Sequence, residues 1–334
     1  MKMITKVFLA GVMALFILNG VCMLYYNIPR HSLNQNGATD YLWEVDFMYS
    51  RGTEGFAKGV TNNEGLNNLF DYEGQTLEVL LMGSSQMEAF NVQQDQNTIS
   101  LLNEYYQGEK VYNLGVSGHD FYTISANLDR ALSRYQPSEY LIIEVGDVEF
   151  DKETLRGVIE GSHAEIPSFE PGVIYTLQGI PYLRLLYSQM SSYLNGRQEA
   201  SVQHNTAVRE IESSELEREI DYRDELDHIL NKISLSCEAY GVTPIIFYHT
   251  KLELTNEATV RTYTDLGKLE VFETLCHENE IVFIDMTDVF IDKYEEEFIL
   301  PHGFSNTEIG TGHLNKTGHA IIAEELIRVM EDLL

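Results

Sequence analysis

The sequence predicts an α/β protein in which a parallel sheet lies between two layers of helices, preceded by one membrane-spanning helix. Two observations predict the sheet: short apolar runs recur between residues 77 and 285, and stretches of helical periodicity separate them. A third observation predicts the membrane helix, because an uncharged apolar run lies near the N-terminus. A chain of 334 residues is long enough for one large domain or two small ones.

Five apolar runs are typical of buried strands. They are Leu77–Met82, Lys110–Leu114, Tyr140–Val145, Thr243–Tyr248 and Ile281–Asp285. Because helical stretches separate these runs, we expect parallel strands joined through βαβ units.

Periodicity and capping residues predict helices between and after these strands. They are Asp120–Tyr135, a helix ending at Tyr240, Thr255–Asn279, and a C-terminal helix from about Asn315. Ser214 and Glu217 form a capping box for the helix that ends at Tyr240, and Gly241 is its expected C-cap.

The apolar run at residues 7–26 contains 20 residues without a charge, which is the length of a helix that crosses a bilayer. Lys2 and Lys6 precede it, so we expect a cytoplasmic N-terminus and an extracytoplasmic C-terminal part. A cleaved signal peptide is the alternative. The run is long for a signal peptide and no Ala-x-Ala site follows it, so we favour an uncleaved anchor in a plasma membrane. Lipidation at Cys22 is not favoured, because Val21 rather than a small residue precedes it.

We divide the chain into three parts. Residues 1–26 are the cytoplasmic N-terminus and anchor, residues 27–74 are a polar stalk and lead-in, and residues 75–334 are the folded domain. Residues 151–215 interrupt the alternation of strands and helices and are interpreted as an insertion. This insertion is either a lid or substrate-binding wall, or a surface excursion without a function.

The charge and the cysteines narrow the function classes. A net charge of −30 disfavours binding to nucleic acid and other polyanions. The three cysteines form no Cys-x-x-Cys pair or zinc-type cluster, so we expect no metal. Cys237 and Cys276 are predicted to be inert buried thiols, with a disulfide between them as the alternative if their helices are neighbours.

Three motifs point to a nucleophilic serine. The strand from Glu78 ends in Gly83-Ser84-Ser85, which places a hydroxyl and backbone N–H groups at the carboxyl edge of the sheet. The run Val111-Tyr-Asn-Leu-Gly-Val-Ser-Gly-His-Asp120 is a second strand with a glycine turn, and Gly118 can offer an unhindered N–H there. The third is Gly310-Thr-Gly-His-Leu-Asn-Lys-Thr-Gly-His-Ala320, in which a loop histidine precedes the last helix.

Together these motifs resemble the SGNH (GDSL-like) hydrolase superfamily over about residues 75–334. The resemblance implies a flavodoxin-like three-layer α/β/α sandwich and esterase or acyl-transfer activity without a cofactor. It implies Ser85 as the nucleophile, Gly118 with the Ser85 N–H as the oxyanion hole, and His313 as the base. His319 is interpreted as structural. A membrane-anchored member resembles bacterial enzymes that add or remove acyl groups on cell-envelope polymers.

The sequence departs from the family pattern at two positions. Gly310 stands where the family often has an aspartate three residues before the histidine, and Val148 stands where it usually has an oxyanion asparagine. A valine donates no hydrogen bond, so the hole would rest on backbone N–H groups. For the ring N–H of His313 we expect a backbone carbonyl near Gly310, with the carboxylates of Glu308 and Asp147 as candidate acid partners.

Two functions follow from these residues. The first is an extracytoplasmic serine esterase or O-acyltransferase that acts on acyl esters, in particular acetyl esters, of a cell-envelope carbohydrate. The alternative is a catalytically weak glycan-binding or scaffolding partner of a membrane-bound acyltransferase. The two missing family positions discriminate between them, because an enzyme needs substitutes for these groups nearby in space.

Overall fold

A computed structural model describes the fold and the positions of most side chains. It covers residues 2–31, 43–162, 177, 179–190, 221–255, 259–262 and 264–333. The first helix, α1, is Lys2–Tyr25, and its residues Met3–Tyr25 have a mean hydropathy of 2.4. By length and composition α1 is able to cross a membrane.

A small antiparallel sheet follows α1 without an intervening linker. Its strands are β1 (Tyr26–Asn27), β2 (Met48–Arg51) and β3 (Ala57–Val60), in the order β1-β2-β3. Tyr26 is paired with Arg51, so the residue that follows α1 lies beside the end of β2.

The main sheet has five parallel strands. They are β4 (Val79–Gly83), β5 (Val111–Gly115), β6 (Tyr140–Val145), β7 (Thr243–Tyr248) and β10 (Val282–Asp285), and a hairpin of β8 (Glu253–Leu254) and β9 (Val260–Arg261) precedes the last of them. The spatial order is β10-β7-β6-β4-β5. The first strand of this sheet therefore lies between the second and the third, which is the flavodoxin-like arrangement. Its switch point lies at β4, where β5 and β6 flank the strand that leads into Ser85.

Nine further helices are described, and helices on both faces of the sheet form its two outer layers. They are α2 (Ser85–Glu88), α3 (Thr98–Tyr105), α4 (Phe121–Tyr135), α5 (Lys152–Ile159), α6 (residues 181–190), α7 (Arg223–Tyr240), α8 (Leu266–Glu278), α9 (Met286–Glu297) and α10 (Lys316–Leu333). One core contains Leu128 of α4, Leu230 of α7 and Phe272 of α8. The opposite core contains Leu102 of α3 and Ile322 of α10. The predicted three-layer α/β/α sandwich is confirmed.

Each predicted strand begins and ends within two residues of the observed strand, and two of the five, Tyr140–Val145 and Thr243–Tyr248, have identical bounds. The prediction of a helix from Thr255 is wrong, because the chain first makes the β8–β9 hairpin, closed by a Thr255 N–H···O Thr259 bond of 2.8 Å. The helix begins only after Asp265, whose carboxylate accepts the N–H groups of Gly267 and Lys268. Gly241 ends α7 as expected, with φ +69°. The capping box at Ser214 and Glu217 lies outside the described residues.

The segment that we interpreted as a stalk is packed onto the domain where the structure describes it. Leu66 and Phe70 are buried in the main core. Asn62 donates from its side-chain amide to the Tyr112 hydroxyl of β5 at 2.8 Å. The division of the chain at residue 75 stays a prediction, but residues 43–74 are not an extended linker.

All three cysteines are free and buried. Cys237 and Cys276 are therefore not bridged to each other, which agrees with inert thiols. Burial raises the pKa of the Cys237 thiol to about 12, so this sulfur stays protonated and unreactive at neutral pH.

Candidate active site

The serine turn is built by a buried strand that ends in glycine. All five residues of β4 are buried, and a Cβ on Gly83 would lie 2.7 Å from Met87 and 2.8 Å from the Glu144 carboxylate. Ser84 is the N-cap of α2, with its hydroxyl accepting the Gln86 N–H at 3.2 Å. Ser85 is the first residue of α2 and is half-buried. The cap occupies the Ser84 hydroxyl and leaves the Ser85 hydroxyl at the edge of the sheet.

The loop before α10 carries the histidine to this edge. Asn315 begins the helix: its side-chain oxygen accepts the N–H groups of Thr317 and Gly318. The Leu314 N–H donates to the side-chain oxygen of Gln86 at 2.7 Å, which ties the loop to α2. As a result, Nε2 of His313 lies 3.0 Å from Oγ of Ser85. The structure thus brings together the two side chains on which the sequence analysis placed the nucleophile and the base.

A carboxylate that the sequence analysis did not consider completes this arrangement. Both oxygens of Glu54 lie within hydrogen-bond distance of Nδ1 of His313, at 2.8 and 2.9 Å. Oε1 of Glu54 also accepts the backbone N–H of His313 at 2.9 Å. Ser85, His313 and Glu54 therefore form a hydrogen-bonded line in the order hydroxyl, imidazole, carboxylate, the geometry of a serine hydrolase triad.

The loop of Glu54 is fixed against the histidine loop by Asn306. The Asn306 side chain accepts the Gly55 N–H at 3.0 Å and donates to the carbonyls of Gly52 and Gly55. Gly55 has φ +73°, and a Cβ there would lie 2.1 Å from the Asn91 carbonyl, so only glycine fits. These hydrogen bonds hold Glu54 beside His313, although Glu54 lies far upstream of Ser85 in the sequence.

The acid partners proposed from the sequence are not the groups beside Nδ1. Glu308 is exposed, and Asp147 is exposed with its carboxylate accepting the Glu149 N–H at 2.9 Å. The expected carbonyl near Gly310 is also replaced, because Glu54 already accepts the ring N–H. The physical reason is that the lead-in folds back over the sheet edge, which the spacing of motifs along the chain does not reveal.

Burial and hydrogen bonding shift the pKa of Glu54 in opposite directions. Desolvation raises the pKa of its carboxyl, but the hydrogen bonds and charge of His313, with a smaller contribution from Arg51, outweigh this and hold the pKa at about 2. Glu54 is therefore an anion at every physiological pH. An anion at this position orients the imidazole and stabilises the imidazolium that forms when the ring takes a proton.

The expected oxyanion donors lie on the loops after β4 and β5. The Val116 N–H donates to the Gly83 carbonyl at 3.0 Å, which joins the two loops. Gly118 has φ +87° and open space where a Cβ would be. No hydrogen bond within the described part of the chain uses the backbone N–H of Gly118 or of Ser85. Val148 is buried in the core and donates nothing, so the asparagine of the family has no substitute at that position.

Two buried glutamates, also missed in the sequence, hold these loops in place. Glu144 of β6 accepts the Ser84 N–H at 2.5 Å and the Ser84 hydroxyl at 3.1 Å, and it contacts Nε2 of His249 at 2.8 Å. Burial opposes its ionisation, but the His249 contact lowers the pKa of Glu144 below its usual value. A glutamate inside an otherwise apolar strand (Tyr-Leu-Ile-Ile-Glu-Val) was the available sequence signal.

Glu88, the last residue of α2, supports the glycine loop. Its carboxylate accepts the Ser117 N–H at 3.1 Å, the Ser117 hydroxyl, and the Trp43 indole N–H at 2.6 Å. Burial raises the pKa of Glu88. The residue before Gly118 is thereby anchored to the helix that begins with Ser85, so the two expected oxyanion donors are held by one rigid unit.

Other candidate groups have structural surroundings. His319 is fully buried, with Nδ1 lying 2.9 Å from the Thr98 hydroxyl, and burial lowers its pKa to about 3. Asp120 is the N-cap of α4 and accepts the Thr123 N–H. Among the described residues, no group of three or more His, Cys, Asp or Glu side chains is arranged to hold a metal ion.

Comparison with known proteins gives matches only among solved structures. No family model and no curated protein matches the sequence. An acetyl xylan esterase, AlAXEase, is 11% identical with a TM-score of 0.42, the match covering 75% of this chain and 98% of that one. A member of the lipolytic G-D-S-L family from Veillonella parvula is 11% identical with a TM-score of 0.37, covering 76% and 98%.

The arrangement of motifs on the fold rests on this chain's own residues. The serine follows the first strand of the sheet, the glycine loop follows the second, and the histidine precedes the last helix. In its strand order and in the places of these three motifs, the chain resembles the SGNH (GDSL-like) hydrolase superfamily.

Proposed function

We propose that this protein is a membrane-anchored serine esterase or O-acyltransferase that acts on acyl esters of a cell-envelope carbohydrate. One observation carries the proposal: the line from Ser85 Oγ to His313 Nε2 and from His313 Nδ1 to Glu54, with contacts of 3.0 and 2.8 Å. A hydroxyl, an imidazole and an ionised carboxylate in this order are what a serine needs to become a nucleophile.

The reaction follows from which atom carries each proton. Glu54 accepts the hydrogen on Nδ1, so Nε2 of His313 has a free lone pair that faces the serine hydroxyl. Ser85 Oγ attacks the carbonyl carbon of the ester while Nε2 takes its proton. The Ser85 and Gly118 N–H groups stabilise the oxyanion of the tetrahedral intermediate. His313 then protonates the departing alkoxide oxygen, the C–O bond breaks, and an acyl group remains on Ser85.

The second half of the reaction decides between hydrolase and transferase. In a hydrolase, His313 deprotonates a water molecule, which attacks the acyl-serine. The bond from the acyl carbon to Ser85 Oγ then breaks, Oγ takes the proton back from His313, and the carboxylic acid leaves. In a transferase, a sugar hydroxyl takes the place of water and the acyl group moves to that sugar. Both use the same three residues and require no cofactor. They differ only in which acceptor reaches the acyl-enzyme first.

The same observation favours an enzyme over a scaffolding protein. The scaffold alternative arose because Gly310 left the histidine without the acid of the family. Glu54 supplies that acid from a different place in the chain, and its pKa of about 2 keeps it charged. A binding protein has no need of an ionised carboxylate against the far nitrogen of a serine-bonded imidazole.

The cellular site is proposed from the N-terminal segment. Lys2 and Lys6 before the apolar helix favour an N-terminus in the cytoplasm and a catalytic domain on the outer side of a bacterial plasma membrane. A carbohydrate of the cell envelope lies within reach of an enzyme held there. The acyl group that we propose is acetyl, by resemblance to envelope-modifying enzymes.

The experiment uses the full chain in nanodiscs with p-nitrophenyl acetate as the ester. Release of p-nitrophenol that is lost in His313→Ala supports the proposal. With a sugar oligomer added, acetate release indicates hydrolysis and an acetylated sugar indicates transfer, each read by mass spectrometry. Equal rates for the wild type and His313→Ala would reject a serine esterase.

A further inference from the structure

Helix α6 has an apolar face that no described part of the protein covers. Its exposed large residues, with those just before the helix, are Leu177, Ile180, Leu186, Tyr187 and Met190. Leu186, Tyr187 and Met190 share one face of α6 at helical spacing, whereas Pro181 and Arg184, further round the helix, are buried. In a protein of net charge −30, residues 171–198 contain two arginines and no acid. Both features set this segment apart from the solvated surface.

The same helix is hydrogen-bonded to α1 at one point and to Tyr26, the residue that follows α1, at another. The Tyr182 N–H donates to the Asn19 side-chain oxygen at 3.2 Å, and the Tyr26 hydroxyl donates to the Ser188 hydroxyl at 3.2 Å. Asn19 is half-buried and Cys22 is buried, while the other described side chains of α1 are exposed. These protected positions lie on one face, so α6 runs alongside the last two turns of α1.

The attachment points determine how deep α6 lies. Asn19 is six residues before Tyr25, which corresponds to about 9 Å along a helix axis. If Tyr25 and Tyr26 lie at the membrane–water interface, where tyrosines are enriched, Asn19 lies within the outer leaflet. Tyr182 then lies at the depth of Asn19, and Ser188, which is bonded to Tyr26, lies at the interface.

At Pro181, Tyr182 and Arg184 the start of α6 leaves no backbone N–H group without a partner, as a lipid environment demands. Pro181 has no N–H, the Tyr182 N–H is accepted by Asn19, and the Arg184 N–H by the Ile180 carbonyl at 3.0 Å. Unsatisfied N–H groups in hydrocarbon cost several kcal/mol each, so this pairing favours insertion. It also gives a reason for the one amide side chain in the outer half of an apolar helix.

We propose that residues 179–190 insert into the outer leaflet beside α1, with Ile180 in contact with lipid acyl chains and Leu186, Tyr187 and Met190 at the membrane–water interface. This inference rests on the membrane anchoring in the proposed function and adds a second membrane contact to it. The contact also orients the domain. Gly52 packs against Tyr25, and Glu54 is two residues further on, so the catalytic carboxylate lies close to the membrane surface.

The test measures depth by tryptophan fluorescence in the full chain. Ile180→Trp and Tyr187→Trp are placed in nanodiscs of phosphatidylcholine and phosphatidylglycerol, with and without bromine on the acyl chains. Phe16→Trp reports on α1 itself. Leu235→Trp, on the 56% exposed position of α7, is the matched control, and the signal of Trp43 in the wild type is subtracted. Bromine should quench the tryptophans at 16 and 180, quench the one at 187 less because Ser188 lies beside Tyr26, and leave the one at 235 unchanged.

Two results would overturn the inference. One is quenching at position 16 without quenching at 180, which would place α6 in water or against another protein. The other is no quenching at position 16, which would remove the anchor as well. Hydrolysis of p-nitrophenyl acetate is recorded in the same samples. Quenching without hydrolysis would reject the proposed function and leave the membrane insertion standing.

Discussion

Replacing Glu54 by glutamine removes one charge and little volume, which makes it the most informative single change. Oε1 of Glu54 accepts both the backbone N–H and Nδ1–H of His313, and Oε2 also faces Nδ1. A glutamine has one oxygen. If that oxygen stays on the backbone N–H, the amide NH₂ faces Nδ1 and requires a lone pair there. The ring proton then moves to Nε2, which can no longer take the proton of Ser85.

The wrong tautomer and the lost negative charge act together on the transition state. Loss of the acid in a serine triad costs about 10⁴ in rate, which corresponds to about 5.5 kcal/mol of transition-state stabilisation. We expect Glu54→Gln to lower kcat for p-nitrophenyl acetate by this factor with a smaller effect on KM. Glu54→Asp keeps the negative charge but places it further from Nδ1. Its kcat should therefore lie between those of the wild type and Glu54→Gln.

Glu308→Gln is the matched control, because it makes the same chemical change at an exposed position of the histidine loop. Its activity should stay within about tenfold of the wild type, or 1.4 kcal/mol. Both variants are first checked for the same far-UV circular dichroism. The reasoning is wrong if Glu54→Gln keeps more than a tenth of the activity, or if Glu308→Gln loses as much as Glu54→Gln.

Three further predictions concern stability. Gly310→Asp would restore the acid of the family. It should lower the thermal midpoint, because Gly310 has φ +88°, and it should not raise ester hydrolysis, because Glu54 already occupies the position beside the ring. An activity above the wild type would contradict this. Glu144→Ala should cost about 3–5 kcal/mol in urea unfolding, because it leaves buried His249 without its partner; a loss below about 1 kcal/mol would reject that role. The Glu54 pKa of about 2 lies below the ordinary 4.5, so its contribution to the stability of the fold is complete above pH 4.5 and should fall as the pH is lowered towards 2. The thermal midpoint should therefore depend less on pH in this acid range in Glu54→Gln than in the wild type.

The sequence was sufficient for those parts of the site that parallel strands bring together. The carboxyl ends of β4 and β5 meet at one edge, so the loops of Ser85 and Gly118 become neighbours wherever the sheet forms. His313 precedes a helix that packs beside that edge. Each of these placements follows from the alternation of strands and helices, which hydrophobic patterning reveals.

Glu54 was not predictable in the same way. It lies in a polar, glycine-rich segment without helical or strand periodicity. Its position depends on the hydrogen bonds of its loop to Asn306, a residue far away in sequence. In the lead-in, β2 pairs with β1, which directly follows α1, and this pairing joins segments that are distant in sequence. Glu88 and Glu144 were missed for another reason: a buried carboxylate looks like a surface residue until its partners are known.

The central claim is that Ser85 is a nucleophile activated by His313 and Glu54, and covalent labelling tests it most directly. The full chain is incubated with a fluorophosphonate, which a triad-activated serine attacks, and the intact mass and the labelled peptide are measured. We predict one adduct on Ser85, absent in Ser85→Ala and slowed in Glu54→Gln, with the thermal midpoint of Ser85→Ala nearly unchanged. An adduct on Ser84, or an unlabelled Ser85 in a folded protein, would contradict the account.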